Sequence, residues 1–416
     1  MVNGTAHELH FYLDGEEDIA LACCQGQSSQ PKTWTVHASL EVEFLVSRAK
    51  PDMIYPESEH QSKFVCSANE DEPIISIMER IKMALEQEGQ SVDMCLSLEH
   101  AKSRERDLVE SCEGVFEHWL ICPAEYATAT SSSPEEYEWI GIKLRTPMIE
   151  QESWQGDDSS QIELLERLKI DIAMHVNSTC HLNVFIQPGP GVMDKELGQK
   201  LTTLVWLTED GLLQKLCPLR KTPTIRSECR LTLAPNDSPE DVMPIMPHNQ
   251  MPIQNHLPQL LDDRDQALLY HIWRTDSIRT VSNYLLPKDD LSDIGFKMHV
   301  YGSLECAKPG QVPTLEFRYG LWHPYKGYHT TKFWLRLCIK YVHACKLVEM
   351  SYKMLLRGLD RLIDETRDDG DRISRILFGI GMSKEDAEAW QMIVKSYENG
   401  NDVLSPEMID IQGILE

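Results

Sequence analysis

Positions 39–44 read Ser-Leu-Glu-Val-Glu-Phe, and this alternation constrains the chain more than any other feature. On a strand, a period of two sends Leu40, Val42 and Phe44 to one face and Glu41 and Glu43 to the other. The apolar face has to pack inward, which leaves two carboxylates side by side, as a hard cation such as Mg²⁺ requires of oxygen ligands. The run 34–46 is therefore predicted as a strand. Glu316-Phe317-Arg318 repeats the geometry with a carboxylate and a guanidinium on one face, which suits a metal ligand beside a bidentate phosphate clamp. Taken alone, each pattern is also what any half-exposed strand shows.

The remaining chain alternates between the two periodicities. Apolar residues at helical spacing cover 74–87, 162–175 and 194–216, the last opened by a cap at Asp194. Further helical patterning is predicted over 266–284, and over a long tail, 330–397, broken at Asp368-Asp369-Gly370 and at Gly381. Strand-like runs fall at 92–98, 116–122, 137–148, 180–186, 295–304 and 313–319, so the fold is mixed α and β. Segments 48–73, 128–136 and 151–160 read as loops, and an irregular, proline-rich insert occupies about 235–262.

Composition narrows the partners. A formal net charge of −26 repels phosphate backbones and anionic lipid, with no basic cluster to reverse it locally, so neither nucleic acid nor a membrane is expected. The start lacks a basic region followed by an apolar one, and no uncharged apolar run reaches membrane-spanning length, so a cytoplasmic location is expected. Twelve cysteines occur without a CxxC pair and read as reduced thiols rather than metal ligands. The glycines of Gln187-Pro188-Gly189-Pro190-Gly191 lack the Lys and Ser or Thr of a P-loop.

Five blocks in fixed order, covering most of 39–345, resemble the amidoligase family. Ser39-Leu40-Glu41-Val42-Glu43-Phe44 resembles its GxExEF strand, and 137–147, with Gly141-Ile142-Lys143-Leu144-Arg145-Thr146-Pro147, its GxELxSP strand. Ser178-Thr179-Cys180-His181-Leu182-Asn183-Val184-Phe185 is similar to SxCGLHVH. Leu204 to Glu209 is similar to a helix LxxLxWxxE, followed by an HPxxR-like Cys217-Pro218-Leu219-Arg220, and Thr314 to Arg318 to a TxEFR strand. The resemblance implies an α+β fold of glutamine-synthetase-like type: a curved antiparallel sheet with helices packed on one side and a helical C-terminal region. It further implies an ATP- and Mg²⁺-dependent ligase that joins a carboxylate to an amine on a small molecule or peptide. Residues 1–36 would be an extension, 37–350 the ligase-like domain and 351–416 the helical region.

Carried over by position, Glu41, Glu43 and Glu316 are the implied metal ligands, Arg318 and Lys143 the catalytic residues, and Asn183, His181 and Arg220 contacts to substrate or nucleotide. Glu41, Glu43, Glu316 and Arg318 are expected to converge in an open cleft on the concave face, with Lys143 and Asn183 projecting into it. Departures accompany the matches: Lys143 stands at the family's glutamate, and Asn183 and Phe185 at its two histidines. Lys143 can be read as a substitute positive charge that takes the place of one metal, or as the mark of a repurposed member that binds a metabolite or partner without catalysis. His299 and His323 are further candidate donors near the same region.

Overall fold

A computed structural model describes residues 35–51, 63–96, 117–130, 133–151, 160–177, 179–189, 193–216, 272–285, 295–300, 313–320, 327–364 and 371–398, with Leu269 and Trp322. The proline-rich insert, Arg220, His323 and the Asp368-Asp369-Gly370 break lie outside the described residues.

The predicted strand is β1, Val36–Ala49, and its two faces organise the molecule. It pairs antiparallel with β4 (Tyr137–Arg145) on one side and β7 (Leu182–Pro188) on the other. The sheet continues outward through β3 (Trp119–Pro123) to β2 (Val92–Met94), and through β9 (Thr314–Gly320) to β8 (Phe296–His299). Two short strands, β5 (Ile149–Glu150) and β6 (Met174–His175), also pair with β1. Between these strands, among the described residues, every pairing is antiparallel except β2 with β3.

Leu40, Val42 and Phe44 from β1, Ile142 and Leu144 from β4, Leu182, Val184 and Ile186 from β7, and Leu315 and Phe317 from β9 are all buried. They make up the apolar face, and each large side chain buried there contributes roughly 1.5–3 kcal/mol. Helix α5 (Gly327–Cys345) packs on this face against β7, β1 and β9, with Tyr341 edge-on to Phe317. Helix α3 (Lys195–Thr208) lies against α5 and is buried along nearly its whole length. The Asp194 side chain accepts from the Leu197 amide at 2.8 Å, the cap expected from sequence.

Helix α1 (Pro73–Gln87) begins on the proline expected to end the preceding loop, and packs on β2 and β3. The C-terminal helices α6 (Glu349–Asp364), α7 (Arg372–Ile380) and α8 (Lys384–Glu398) close over α3 and α5, with Phe333 stacked on Trp390 at 4.0 Å. Gly381, at φ 102°, ends α7 in the left-handed conformation.

Three expectations need correction. The helical reading of 162–175 ends early, because α2 covers Ser160–Asp171 and Met174–His175 pairs with Val46 and Leu45 of β1. The stretch 266–284 is not one continuous helix: Leu269 and 272–274 are helical, the helix breaks at 275–277, and it resumes in α4 (Ile278–Tyr284), capped by Ser277. The tail helix breaks between Cys345 and Glu349, where the sequence carries neither Gly nor Pro. Among the described residues no helix is long and apolar enough to cross a membrane, and the six described cysteines are buried and free of disulfides.

Candidate functional site

The face of the sheet opposite α5 carries charge instead of methyl groups. Register places Arg145 of β4, Glu41 of β1 and Asn183 of β7 in one row, and Lys143 of β4 beside Glu43 of β1 in the next. Phe185 of β7, Glu316 of β9 and Lys297 of β8 form a third row. Because each strand alternates, these side chains share the face that Leu40, Val42 and Phe44 leave.

Lys143 bridges the β1 pair, with Nζ 3.4 Å from Glu41 Oε1 and 3.6 Å from Glu43 Oε1. The Asn183 amide Nδ2 donates to Glu41 Oε1 at 3.0 Å, and His181 Nδ1 lies 3.2 Å from Glu43 Oε2. On β9, Arg318 Nε donates to Glu316 Oε1 at 2.6 Å, and His299 Nε2 lies 2.6 Å from Glu316 Oε2. The structure thus brings together Glu41, Glu43, Lys143, Asn183 and His181, and beside them Glu316, Arg318 and His299.

The expected open cleft is corrected in one respect, namely depth. The side chains of Glu41, Glu43 and Glu316 are only 7, 4 and 2% exposed, whereas Lys143, His181, His299 and Arg318 are 31, 16, 31 and 21% exposed. The carboxylates form a floor, and the groups that can carry positive charge lie above them toward solvent. Burial pushes the Glu41 carboxyl up, but attraction to Lys143 and Arg145 outweighs it and holds the group below its ordinary value despite repulsion from Glu316. Burial raises Glu316 likewise, and Arg318, His299 and Lys297 more than reverse it, holding Glu316 well below the usual carboxylate range. Both stay ionised at neutral pH because cations surround them.

Arg318 owes its place to an irregularity. Leu182 pairs with Gly320 and Val184 with Phe317, so one residue of β7, Asn183, faces two of β9, a bulge at Arg318-Tyr319. The Arg318 amide donates to the Gly295 carbonyl at 2.7 Å, and a Cβ on Gly295 would fall 2.3 Å from the Tyr319 ring, so only glycine fits there. Tyr319 turns toward the helices, and its hydroxyl donates to Glu209, a fully buried carboxylate in the π-helical turn Glu209–Leu213 that follows α3. Burial first, and then the Glu209 charge, hold the Tyr319 phenol well above its ordinary value.

Within its own strand Arg145 is one more polar residue, and Lys297 carries no motif, so sequence alone marks neither. Arg145 is buried opposite Glu41, 6.0 Å from the Phe185 ring, and only the strand register reveals its partner. In sequence Glu209 is the last position of a helix motif; its bond to Tyr319 needs the fold.

The donors do not fit a Mg²⁺ ion shared by the three carboxylates. A divalent ion needs several oxygens converging on one point. Here the position between Glu41 and Glu43 is taken by Lys143, Asn183 turns its NH₂ rather than its oxygen to Glu41, and both Glu316 oxygens are engaged by Arg318 and His299. Among the described residues no three His, Cys, Asp or Glu side chains are arranged to hold a metal. What the arrangement can do chemically is hold a negative charge: three buried carboxylates are overlaid by a lysine, an arginine and two histidines, with a second arginine beneath. Comparison of the chain with protein-family models, curated proteins and solved structures finds no match.

Proposed function

We propose that this chain is a repurposed relative of the carboxylate-amine ligases that binds an anionic small molecule, a carboxylate or phosphate, without metal and without ATP-driven turnover. One observation carries the reading: Glu41, Glu43 and Glu316 each face protein cations at ion-pair distance, so the charges that would hold metal are already neutralised. Arg318 and Lys143, partly exposed above them, then face solvent as recognition groups, the guanidinium offering a planar fork that matches carboxylate and phosphate oxygens. Calorimetric titration in EDTA with inorganic phosphate and with small mono- and dicarboxylates tests this. Saturable binding that is lost in Arg318→Met supports it, and no heat from any of these anions counts against it.

A second reading, the ATP- and Mg²⁺-dependent ligase, draws on a different observation: Glu41, Glu43, Glu316 and Arg318 lie on one face of three neighbouring strands. There Arg318 would steady a transferring phosphoryl group, and Arg318→Lys would lower ATP consumption by roughly two orders of magnitude or more. In the binding reading the same substitution leaves no ATP consumption to lose.

A further inference from the structure

The pair Glu41 and Glu43 poses an electrostatic problem of its own. Two carboxylates on one strand face, both nearly excluded from water, repel each other strongly in a medium of low polarity. Something positive has to lie between them. Lys143 Nζ does so at 3.4 and 3.6 Å, reaching across from the residue directly opposite Glu43 in the β1–β4 ladder. Arg145, opposite Glu41 in the same ladder, adds a second positive charge, so two protein cations face two carboxylates.

A second, independent feature belongs to the same place. Asn183 is buried, and with its Nδ2 committed to Glu41 its Oδ1 has no hydrogen-bond partner among the described residues. A buried carbonyl-type oxygen without a donor costs about 1–3 kcal/mol. Beside two carboxylates, and once the amide turns its oxygen in place of its NH₂ toward Glu41, such an oxygen is the kind of hard donor that a divalent cation uses.

We infer that Lys143 is a tethered substitute for a divalent cation, closing a latent metal site made of Glu41, Glu43 and the Asn183 side-chain oxygen. A cation attached to the neighbouring strand cannot diffuse away, so it outcompetes free Mg²⁺ or Mn²⁺ for the position between the carboxylates. This deepens the binding reading above and rests on it for the statement that the site works without metal.

The test uses Mn²⁺ alone, with no organic ligand, so that failure to find an anion that binds leaves the result intact. Mn²⁺ binding to the full chain is read from the electron paramagnetic resonance signal of the free ion, and thermal stability is read alongside. The wild type and Lys143→Arg are expected to bind no Mn²⁺ at millimolar concentration and to show no shift in Tm. Lys143→Ala is expected to bind one Mn²⁺ at least about tenfold more tightly than the wild type, with a rise in Tm. Adding Glu41→Gln to Lys143→Ala is expected to weaken that binding by at least about tenfold, because it removes one of the two carboxylate ligands.

Should Lys143→Ala be unfolded in EDTA, Mn²⁺ is expected to restore its near-ultraviolet circular dichroism. The inference is overturned if the wild type binds Mn²⁺ in a Glu41-dependent way. It is equally overturned if Lys143→Ala, folded or refolding, gains nothing from the metal.

Discussion

Replacing Arg318 with methionine tests whether the buried charges depend on their cations. Glu316 is almost wholly buried, with one oxygen 2.6 Å from Arg318 Nε and the other 2.6 Å from His299 Nε2. Removing one partner of a buried ion pair costs about 3–5 kcal/mol, because the remaining charge stays out of water. His299 remains, and the Arg318 side chain is still 21% exposed, so the lower end applies, about 3 kcal/mol. The sign with pH follows from the depressed carboxyl of Glu316. In the wild type its stabilisation is fully present above the ordinary value of 4.5 and is lost as pH falls through the lower folded value. Without Arg318 burial dominates and pushes the carboxyl upward, so the gap between variant and wild type is largest near neutral pH. Below about pH 4.5 it shrinks. Urea unfolding followed by tryptophan fluorescence at several pH values measures this, and Arg318→Lys, which keeps the charge but not the fork, is expected to lose only about 1 kcal/mol. A loss under about 0.5 kcal/mol at neutral pH, or one that does not change with pH, refutes the reasoning.

Two further perturbations probe the support behind the site. Tyr319→Phe removes the donor to the fully buried Glu209 and is expected to destabilise the fold by about 1–3 kcal/mol or more, measured by the same urea titration. His343, whose Nε2 donates to Gln151 Oε1 at 2.9 Å, is held neutral by burial and by nearby Lys340, its value lowered from 6.5 to about 4. As pH falls below about 6.5 the unfolded chain takes up a proton that the folded chain refuses, so stability drops by about 3 kcal/mol by pH 4; His343→Gln should flatten that part of the stability profile.

What the sequence revealed and what it hid divide along physical lines. The two faces of β1 were legible because a period of two survives whatever lies on either side, and the same holds for Glu316 and Arg318 on β9. The meeting of Lys143 with Glu41 and Glu43, expected from the resemblance alone, rests on a register that no single segment encodes. Arg145 was missed for that reason: opposite Glu41 it is a buried counter-charge, but within its own strand it is an ordinary polar residue. The bulge at Arg318-Tyr319 and the partner of Glu209 were invisible because each depends on contacts more than a hundred positions away along the chain.

The misread helix end at 172–175 has another cause. Ile172, Ala173 and Met174 continue the apolar character of α2, but Ile172 bridges to Phe64 and Met174–His175 pairs with β1, so backbone partners far away in sequence end the helix. The depth of the carboxylates was likewise beyond sequence, since burial of Glu41, Glu43 and Glu316 follows from the cations and the sheet around them. That depth, with a cation against each carboxylate, is what supports the proposed metal-free binding of an anion.

The most direct test of that central claim is a calorimetric titration of the purified chain with ATP, with and without saturating Mg²⁺, monitored in parallel for ATP consumption. Binding of nucleotide, if it occurs, is expected to be the same or stronger in EDTA, with no consumption in the presence of candidate acids and amines. ATP binding that requires Mg²⁺ and is lost in Glu41→Gln and Glu316→Gln would contradict the account and restore the ligase reading.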